Sequence, residues 1–410
     1  MELPPPRDNQ WLFLDMNAFF ASCEQHRSPQ LRGRPVAITP TNTPNGCIVA
    51  ASYEAKQHGV TTGWRVGDAK RAVPGIAIIE TDHRYYMAIH ERLKQFLIEE
   101  ITPQPVTMSV DEFAIPLDKR EQWSPNAHAL ALRIKQRMCE IFSPSIRCSI
   151  GIGPNRLLAK LGTELQKPDG LTFIQLHTLD QAFASLSLRD IPGINWGMSK
   201  RLHELGISTP VEFFQTPREI LHQALGILGD AWWYNLHGYR VDHVTSPTKS
   251  ISHSHVLEPE LRTKANARAV LYKLCLKVAE RLRHKRLTAK TFVVAVRNTA
   301  NIKWVQQFTL CPTQDVFRIF QAISQAYDTA ISHSSRPFKI VVAAYDLQPH
   351  TEQTLPLFTD NQRKNEALFT TVDAINGHFG RWTIKPASLL PIADAAPNRI
   401  TFRAPDHEMD

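Results

Sequence analysis

Residues 107–115 read TMSVDEFAI, and the adjacent acids Asp111 and Glu112 stand inside an apolar, strand-like run. Successive side chains of a regular strand point to opposite faces, so neighbouring carboxylates serve one site only at a strand end, turn or bulge. Taken alone, the pair also reads as a polar strand tip. A third acid, Asp15, closes the apolar run WLFL and is followed by MNAFF, where a helix N-terminus could offer backbone N–H groups. Three carboxylates from two strands form a set of hard oxygen donors. Divalent cations such as Mg²⁺ take such ligands, and phosphoryl transfer commonly employs two of them about 3.5–4 Å apart. Cations shared among the acids also relieve the like-charge repulsion that would raise their pKa values. The constellation suits nucleotidyl transfer.

The elements around these acids alternate. WLFLD reads as a strand passing into a helix; PVAIT and CIVAAS read as two strands joined by a Pro/Asn/Gly turn, then a short helix. Apolar spacing predicts a helix over 85–101, VTMSVDEFAIPL a strand or hairpin, and HALALRIKQRMCEIF a second amphipathic helix. RCSIGIG is a strand, and NRLLAKLGTELQKPDGLTFI a helix, a turn and a strand. From about 176 to 245 the chain is helical with short loops. A Ser/Pro/Thr linker follows, then strand, helix 265–286, strand, helix 315–330 and strand, with a last helical stretch near 362–378. Strands with hairpins among helices imply an α+β class with antiparallel or mixed sheets.

At 410 residues the chain is too long for one core, which implies two to four domains. No run of 18 apolar residues exists, so no membrane span is expected. MELPPPRDNQ lacks the apolar stretch of a secretory signal. Six cysteines without a CxxC pair argue against a disulfide framework or zinc site and fit a reducing cytoplasm. The net charge of +8 is concentrated: Lys249 to Lys303 holds thirteen Lys/Arg and three acids, so the remainder is slightly negative. Such a segment reads as an anion-binding surface, most often for nucleic acid, or as a solvated basic helix face.

LFLDMNAFFASCEQ, PNGCIVAASYEAKQHGV, MSVDEF and SIGIGPNRLLAKLGTELQKPDG occur in this order, followed by DIPGINWGMSKRLHELGI, KSISHSHVLEP and FGRWTIKPASLL. Together they closely resemble the Y-family translesion DNA polymerases, the bacterial DNA polymerase IV/V group, over nearly the whole chain. The resemblance implies a multidomain α+β right-hand architecture: palm at 1–18 and 83–175, small fingers at 19–82, and a helix-hairpin-helix thumb at 176–245. It further implies a linker at 246–249, an α/β little finger at 250–348 and a C-terminal tail at 349–410. Template-directed synthesis past damaged bases, from dNTPs onto a primer-template, is the implied activity. Its implied setting is the bacterial cytoplasm near the nucleoid, as a monomer without membrane attachment.

The resemblance also assigns residues. Asp15, Asp111 and Glu112 match the catalytic metal triad, with the Met16 carbonyl as a further ligand of two Mg²⁺ ions, for which Mn²⁺ can substitute. Tyr53, Lys56 and Lys167 match triphosphate contacts. Lys56 stands where some relatives have Arg, replacing a bidentate fork by a point charge. Phe20, beside Phe19, matches the aromatic under the sugar, whose flat ring would exclude a ribose 2′-OH. Gly193 and Asn195 lie in the hairpin that reads DNA phosphates; Asn195 replaces a Gly, and Asn tolerates a left-handed backbone. Lys249, Arg281, Arg283, Lys285 and Arg286 are the expected duplex contacts, whereas His253 and His255 read as strand histidines with no metal. Trp64 either packs inward as fingers core or roofs the template base; the roof is the hypothesis taken forward. Gln353, Leu357 and Phe358 resemble a sliding-clamp-binding peptide.

Two other readings compete. A catalytically weak adaptor of the same fold, recruiting replication proteins through the clamp, would have no reason to keep three acids. A nucleotide cyclase would carry Gly-Gly before Asp111 and would lack the thumb and little-finger segments.

Overall fold

The computed structural model describes residues 4–241, 248–350, 360–380, 382–393 and 395–397. The chain forms two compact units that divide at residue 243. In the first, β1 (Trp11–Met16), β2 (Val36–Thr39), β3 (Ala50–Ala51), β4 (Ala77–Glu80), β5 (Val106–Thr107), β6 (Glu112–Pro116), β7 (Cys148–Gly153) and β8 (Leu171–Phe173) build two sheets. One has the order β5-β6-β1-β7-β8, the other β3-β2-β4.

β1 is central and covered on both faces, which is why WLFLDM is apolar throughout rather than alternating. Leu12, Leu14 and Met16 enter the main core with the helices His83–Glu100 and Ser124–Ile141. Tyr86, Ile89, Leu93, Phe96 and Leu97 supply the buried stripe of the first helix at helical spacing. Trp11 and Phe13 point to the other face and pack on Ala114 and Ala159. The helix Phe19–Arg27, expected to open the fingers, places Phe19, Phe20, Ala21 and Cys23 in this main core. A separate, smaller core surrounds β2, β3 and β4, where Ile48, Ala55, Val60 and Val66 are buried.

Residues 176–241 form a helical segment whose core of Phe183, Ile191, Leu202, Phe213 and Leu221 also takes in Leu158 and Leu161 of the helix Arg156–Leu165. Asn155 ties it to the large sheet. Its side-chain oxygen caps the helix Arg156–Leu165 through the Leu158 N–H, and its Nδ2 donates to the carbonyls of Asn235 (2.7 Å) and Tyr239 (2.9 Å).

The second unit holds β9 (Ser250–Val256), β10 (Leu287–Asn298), β11 (Lys303–Thr313) and β12 (Pro337–Pro349) in the order β11-β10-β12-β9, all antiparallel. The helices Lys264–His284 and Val316–Ala330 bury Phe292, Val294, Val296, Ile340 and Val342 of one face. The other face carries Ser250, Ser252 and Ser254 opposite Tyr345, Ala343 and Val341.

The described part of the expected tail packs into the second unit. The helix Asp360–Phe379 and the turn Ala387–Ile392 add Phe369, Leu389, Ile392, Ala395 and Ala396 to the core of this unit. Two nearly buried ammonium groups hold the end down. Lys273 donates to the carbonyls of Ala393 and Ala395 at 2.6 Å each, and Lys277 donates to that of Ala396. Arg283 grips Asp373 through Nε (2.5 Å) and Nη2 (3.0 Å), with side chains only 9% and 19% exposed. Removing one partner of such a pair strands a desolvated charge, at a cost of about 3–5 kcal/mol. We therefore expect Asp373→Ala to lower stability by about 3 kcal/mol in denaturant unfolding; a change below about 0.5 kcal/mol, the range of ordinary surface substitutions, would mean that the pair is solvated.

Candidate active site

The irregularity demanded by the adjacent acids is present. Asp111 lies in the turn between β5 and β6, and Glu112 is the first residue of β6. The Met16 N–H donates to the Asp111 carbonyl (2.9 Å), and the Met108 N–H donates to that of Glu112 (2.9 Å). The Ser109 hydroxyl donates to Asp111 Oδ1 at 2.5 Å. Asp15 pairs in register with Glu112 on one side and Ser149 on the other. The three acids thus meet at the strand-end edge of the sheet, where β1 closes and β6 begins.

Lys160 organises them. Its Nζ bonds Asp15 Oδ2, Glu112 Oε1 (2.8 Å) and Glu164 Oε1 (2.8 Å), above the ring of Phe13. Lys167 Nζ adds Asp15 Oδ1 (3.0 Å) and Glu164 Oε1 (2.9 Å). The helix Arg156–Leu165 lies close enough because β7 alternates glycine beneath it. Gly151 and Gly153 pair with Phe13 and Trp11, so they share that face. A Cβ on Gly151 would stand 2.0 Å from the Ala159 carbonyl, and one on Gly153 2.8 Å from the Ala159 nitrogen. The sequence reading passed over Lys160 and Glu164; the glycine alternation in SIGIG and the i,i+4 spacing were the available signals.

Charge and burial act together here. Burial, with the Asp15 charge adding to it, pushes the Asp111 carboxyl up against its Ser109 hydrogen bond. Burial also raises Glu112, over the opposing pull of Lys160. For Lys160, burial works downward, but Asp15, Glu112 and Glu164 outweigh it and hold the ammonium well above the usual lysine value. Glu164 is held low: burial opposes this, and Lys160 and Lys167 overcome it. Burial, then Asp15 and Glu164, pushes the Tyr53 phenol up to about 12. Lys56 sits 4.5 Å over the Tyr53 ring, and burial and Lys167 lower its pKa. Four carboxylates against Lys160 and Lys167 leave the edge negative, suited to cations. Among the described residues no group of three or more His, Cys, Asp or Glu is arranged as a metal site; the Lys160 ammonium stands between Asp15 and Glu112 instead.

The profile of the impB/mucB/samB family matches residues 14–164, and that of its C-terminal domain matches 248–357. The chain is 33% identical over 293 residues to DNA polymerase IV of Moorella thermoacetica, covering 70% of this chain and 72% of that one. It belongs to the Y-family DNA polymerases. DNA polymerase IV of Pelotomaculum thermopropionicum is 27% identical over 394 residues, covering 93% of this chain and 95% of the relative. A solved Y-family DNA polymerase chimera superposes with a TM-score of 0.68 at 21% identity, covering 82% of this chain and 98% of that one. The protein is a DNA-directed DNA polymerase of α+β fold, as the family resemblance implied.

In this polymerase Phe20 is buried and stacks on Tyr86, with centroids 4.4 Å apart and planes 14° apart; Phe19 is tilted at 5.8 Å. The Tyr86 hydroxyl donates to the buried Glu24 carboxylate (2.9 Å). Gly193 has φ +94° and meets the Trp232 ring where a Cβ would be, at 3.3 Å. Asn195 differs from expectation. Its backbone is extended (φ −86°, ψ 177°), and its side chain caps the helix Trp196–Glu204 by accepting the Met198 N–H at 2.9 Å. It serves as an N-cap and needs no left-handed tolerance.

Trp64 is half-buried and packs against the core around β2–β4. Arg283, expected on duplex phosphates, is consumed by Asp373 inside the second unit. Lys249 and Arg286 are exposed, while Arg281 and Lys285 are half-buried. Gln353, Leu357 and Phe358 lie outside the described residues.

A cavity of about 890 Å³ opens beside Glu112 and Lys160, lined by Trp11, Phe13 and Arg156 and, from the helical segment, Gly193 and Trp232. Arg156, Leu157, Lys160 and Glu164 of the helix Arg156–Leu165 line one side of it. We expect Gly151→Ala to push that helix off β7 and to lower stability by about 1–3 kcal/mol, the usual cost of overpacking. A melting temperature equal to the parent's would show that the helix can move freely.

Proposed function

We propose that the polymerase copies damaged as well as normal template strands, adding dNTPs to a primer 3′-OH at the edge formed by Asp15, Asp111 and Glu112. The gathering of these three acids at one sheet edge carries the reading. Their donor set fits hard divalent cations: three carboxylates and the Met16 carbonyl, all oxygen, on a negatively charged edge. Asp15, Met16, Asp111 and Glu112 would hold two Mg²⁺ ions, which, when bound, supply Lewis acidity at the phosphoryl group and at the attacking oxygen.

The remaining work belongs to side chains of the chain itself. Tyr53, Lys56 and Lys167 orient the triphosphate through a phenolic O–H and two ammonium groups. Phe20, braced by Tyr86, presents a rigid ring against the sugar and leaves no space for a 2′-OH. The cavity beside Glu112 takes the primer end, with the Pro192–Gly193 hairpin on its far wall contacting backbone phosphate. In this reading the β5-β6-β1-β7-β8 sheet is the palm, the β2–β4 layer the fingers, residues 176–241 the thumb and the second unit the little finger. The little finger offers the duplex its helix-free sheet face, where hydroxyls of Ser250, Ser252 and Ser254 stand with Arg297 and Lys339. A cytoplasmic monomer acting on primer-template DNA completes the reading.

A primer-extension assay with Mg²⁺ and four dNTPs tests the chemistry. Asp111→Ala and Glu112→Ala are each expected to abolish extension while duplex affinity stays within about twofold; processive synthesis by either variant would overturn the triad.

The duplex face has its own test. Each phosphate contact contributes about 0.9 to the log–log salt slope. Neutralising Lys249, Arg297 and Lys339 together should flatten the slope by up to about 2.7 on that basis, whereas Arg283→Gln should leave it unchanged. The reverse pattern would return the duplex contact to the Arg281–Arg286 cluster.

A further inference from the structure

The loop 166–170 carries Lys167, and a buried polar network holds it from beneath. Asn17 Oδ1 accepts the Asp169 N–H at 2.7 Å, and Asn17 Nδ2 donates to Ser149 Oγ at 3.1 Å. The Ser149 hydroxyl donates to the Gln166 carbonyl (3.1 Å) and accepts the Gly170 N–H (3.3 Å). With the bond from Asn17, Ser149 uses the one donor and two acceptor positions a hydroxyl has. Lys135 Nζ closes the far side, donating to the Asp169 carbonyl (2.9 Å), Asp169 Oδ1 (2.6 Å) and the Cys148 carbonyl (2.8 Å).

Asn17 and Ser149 are almost wholly buried, at 3% and 0% exposure. Apolar residues would fill such positions at lower desolvation cost unless the hydrogen bonds were needed. The loop has little freedom to place itself. A Cβ on Gly170 would stand 1.9 Å from the Gln166 carbonyl, and Asp169 is held at φ +58°. Asn17 is fixed in turn: its N–H donates to the Arg147 carbonyl (2.8 Å), and its carbonyl accepts from Ser22 Oγ (2.6 Å). It also lies two residues beyond Asp15 on the same strand end. One amide therefore links the strand that ends in Asp15 to the loop that presents Lys167, and the two charged atoms stand 3.0 Å apart.

We propose that Asn17, supported by Ser149, is a positioning residue for the incoming nucleotide: it fixes the Lys167 ammonium relative to Asp15 before the triphosphate arrives. A preset cation spares the ordering cost that a loose lysine would incur on binding, and small misplacements near reacting groups are expensive. The inference rests on the reading of Lys167 as a triphosphate contact.

Equilibrium binding of dNTP to the enzyme on a dideoxy-terminated primer-template, with steady-state kinetics on an extendable one, tests it in a double-mutant cycle. Asn17→Ala should weaken dNTP binding and raise KM about tenfold, in the range of lost supporting hydrogen bonds, with kcat and primer-template affinity near the parent's. Ser149→Ala should act in the same direction, and it carries the test if Asn17→Ala fails to fold. In a Lys167→Ala background, Asn17→Ala should add nothing. If Lys167→Ala alone leaves dNTP binding unchanged, the triphosphate reading of Lys167 fails and the inference with it. If Lys167→Ala weakens binding and the two effects multiply, that reading stands and the positioning role is wrong.

Discussion

One ammonium group standing between two strands is the interaction on which the site depends. Asp15 lies near the end of the central strand of a sheet covered on both faces, where an uncompensated carboxylate would cost several kcal/mol. Lys160 meets that charge and reaches Glu112 and Glu164 from the same atom. It can do so because the helix that bears it lies directly on a strand without side chains at Gly151 and Gly153. Close packing of backbone on backbone is thus the condition for the electrostatics. The same helix is fixed at its start by Asn155, whose amide also reaches the end of the helical segment. Carboxylate edge, helix and cavity wall therefore share one mechanical frame.

The second unit divides its cations between structure and surface. Arg283, Lys273 and Lys277 lie inside and are spent on Asp373 and on backbone carbonyls. Arg268 pairs with Asp328. A count of Lys and Arg along this segment therefore overstates the charge that a polyanion would meet. The sheet face opposite the helices adds small hydroxyls at regular strand spacing, a pattern suited to following a backbone rather than reading bases.

The fold was largely legible because strong signals were local. Apolar periodicity gave the helix found at His83–Glu100 to within two residues, and the buried run WLFL gave the central strand. Asp15, Asp111 and Glu112 stood out because acids rarely interrupt apolar strands. What escaped was relational. Nothing local in SIGIG announces that its glycines make room for Lys160, and nothing in RLRHKR separates a buried arginine from solvated ones. Asn195 was read by backbone tolerance, whereas its cap geometry depends on the helix that follows. The packing of Trp64 depends on the layer behind it, and the segment after 349 reads as a tail because it is Pro- and polar-rich with one helical stretch.

That last segment bears on where a domain ends. The family profile stops at residue 357, yet Phe369, Leu389 and Ile392 complete the core behind it. A fragment cut at the profile boundary would keep β9 to β12 and still expose that core. It would also deprive two inward-facing lysines of the carbonyls they hold. Homology and cooperative folding thus draw different borders on this chain. The residues beyond the profile form a wall of the domain, so changes to Phe369, Leu389 or Ile392 act on the same core as changes to the strands.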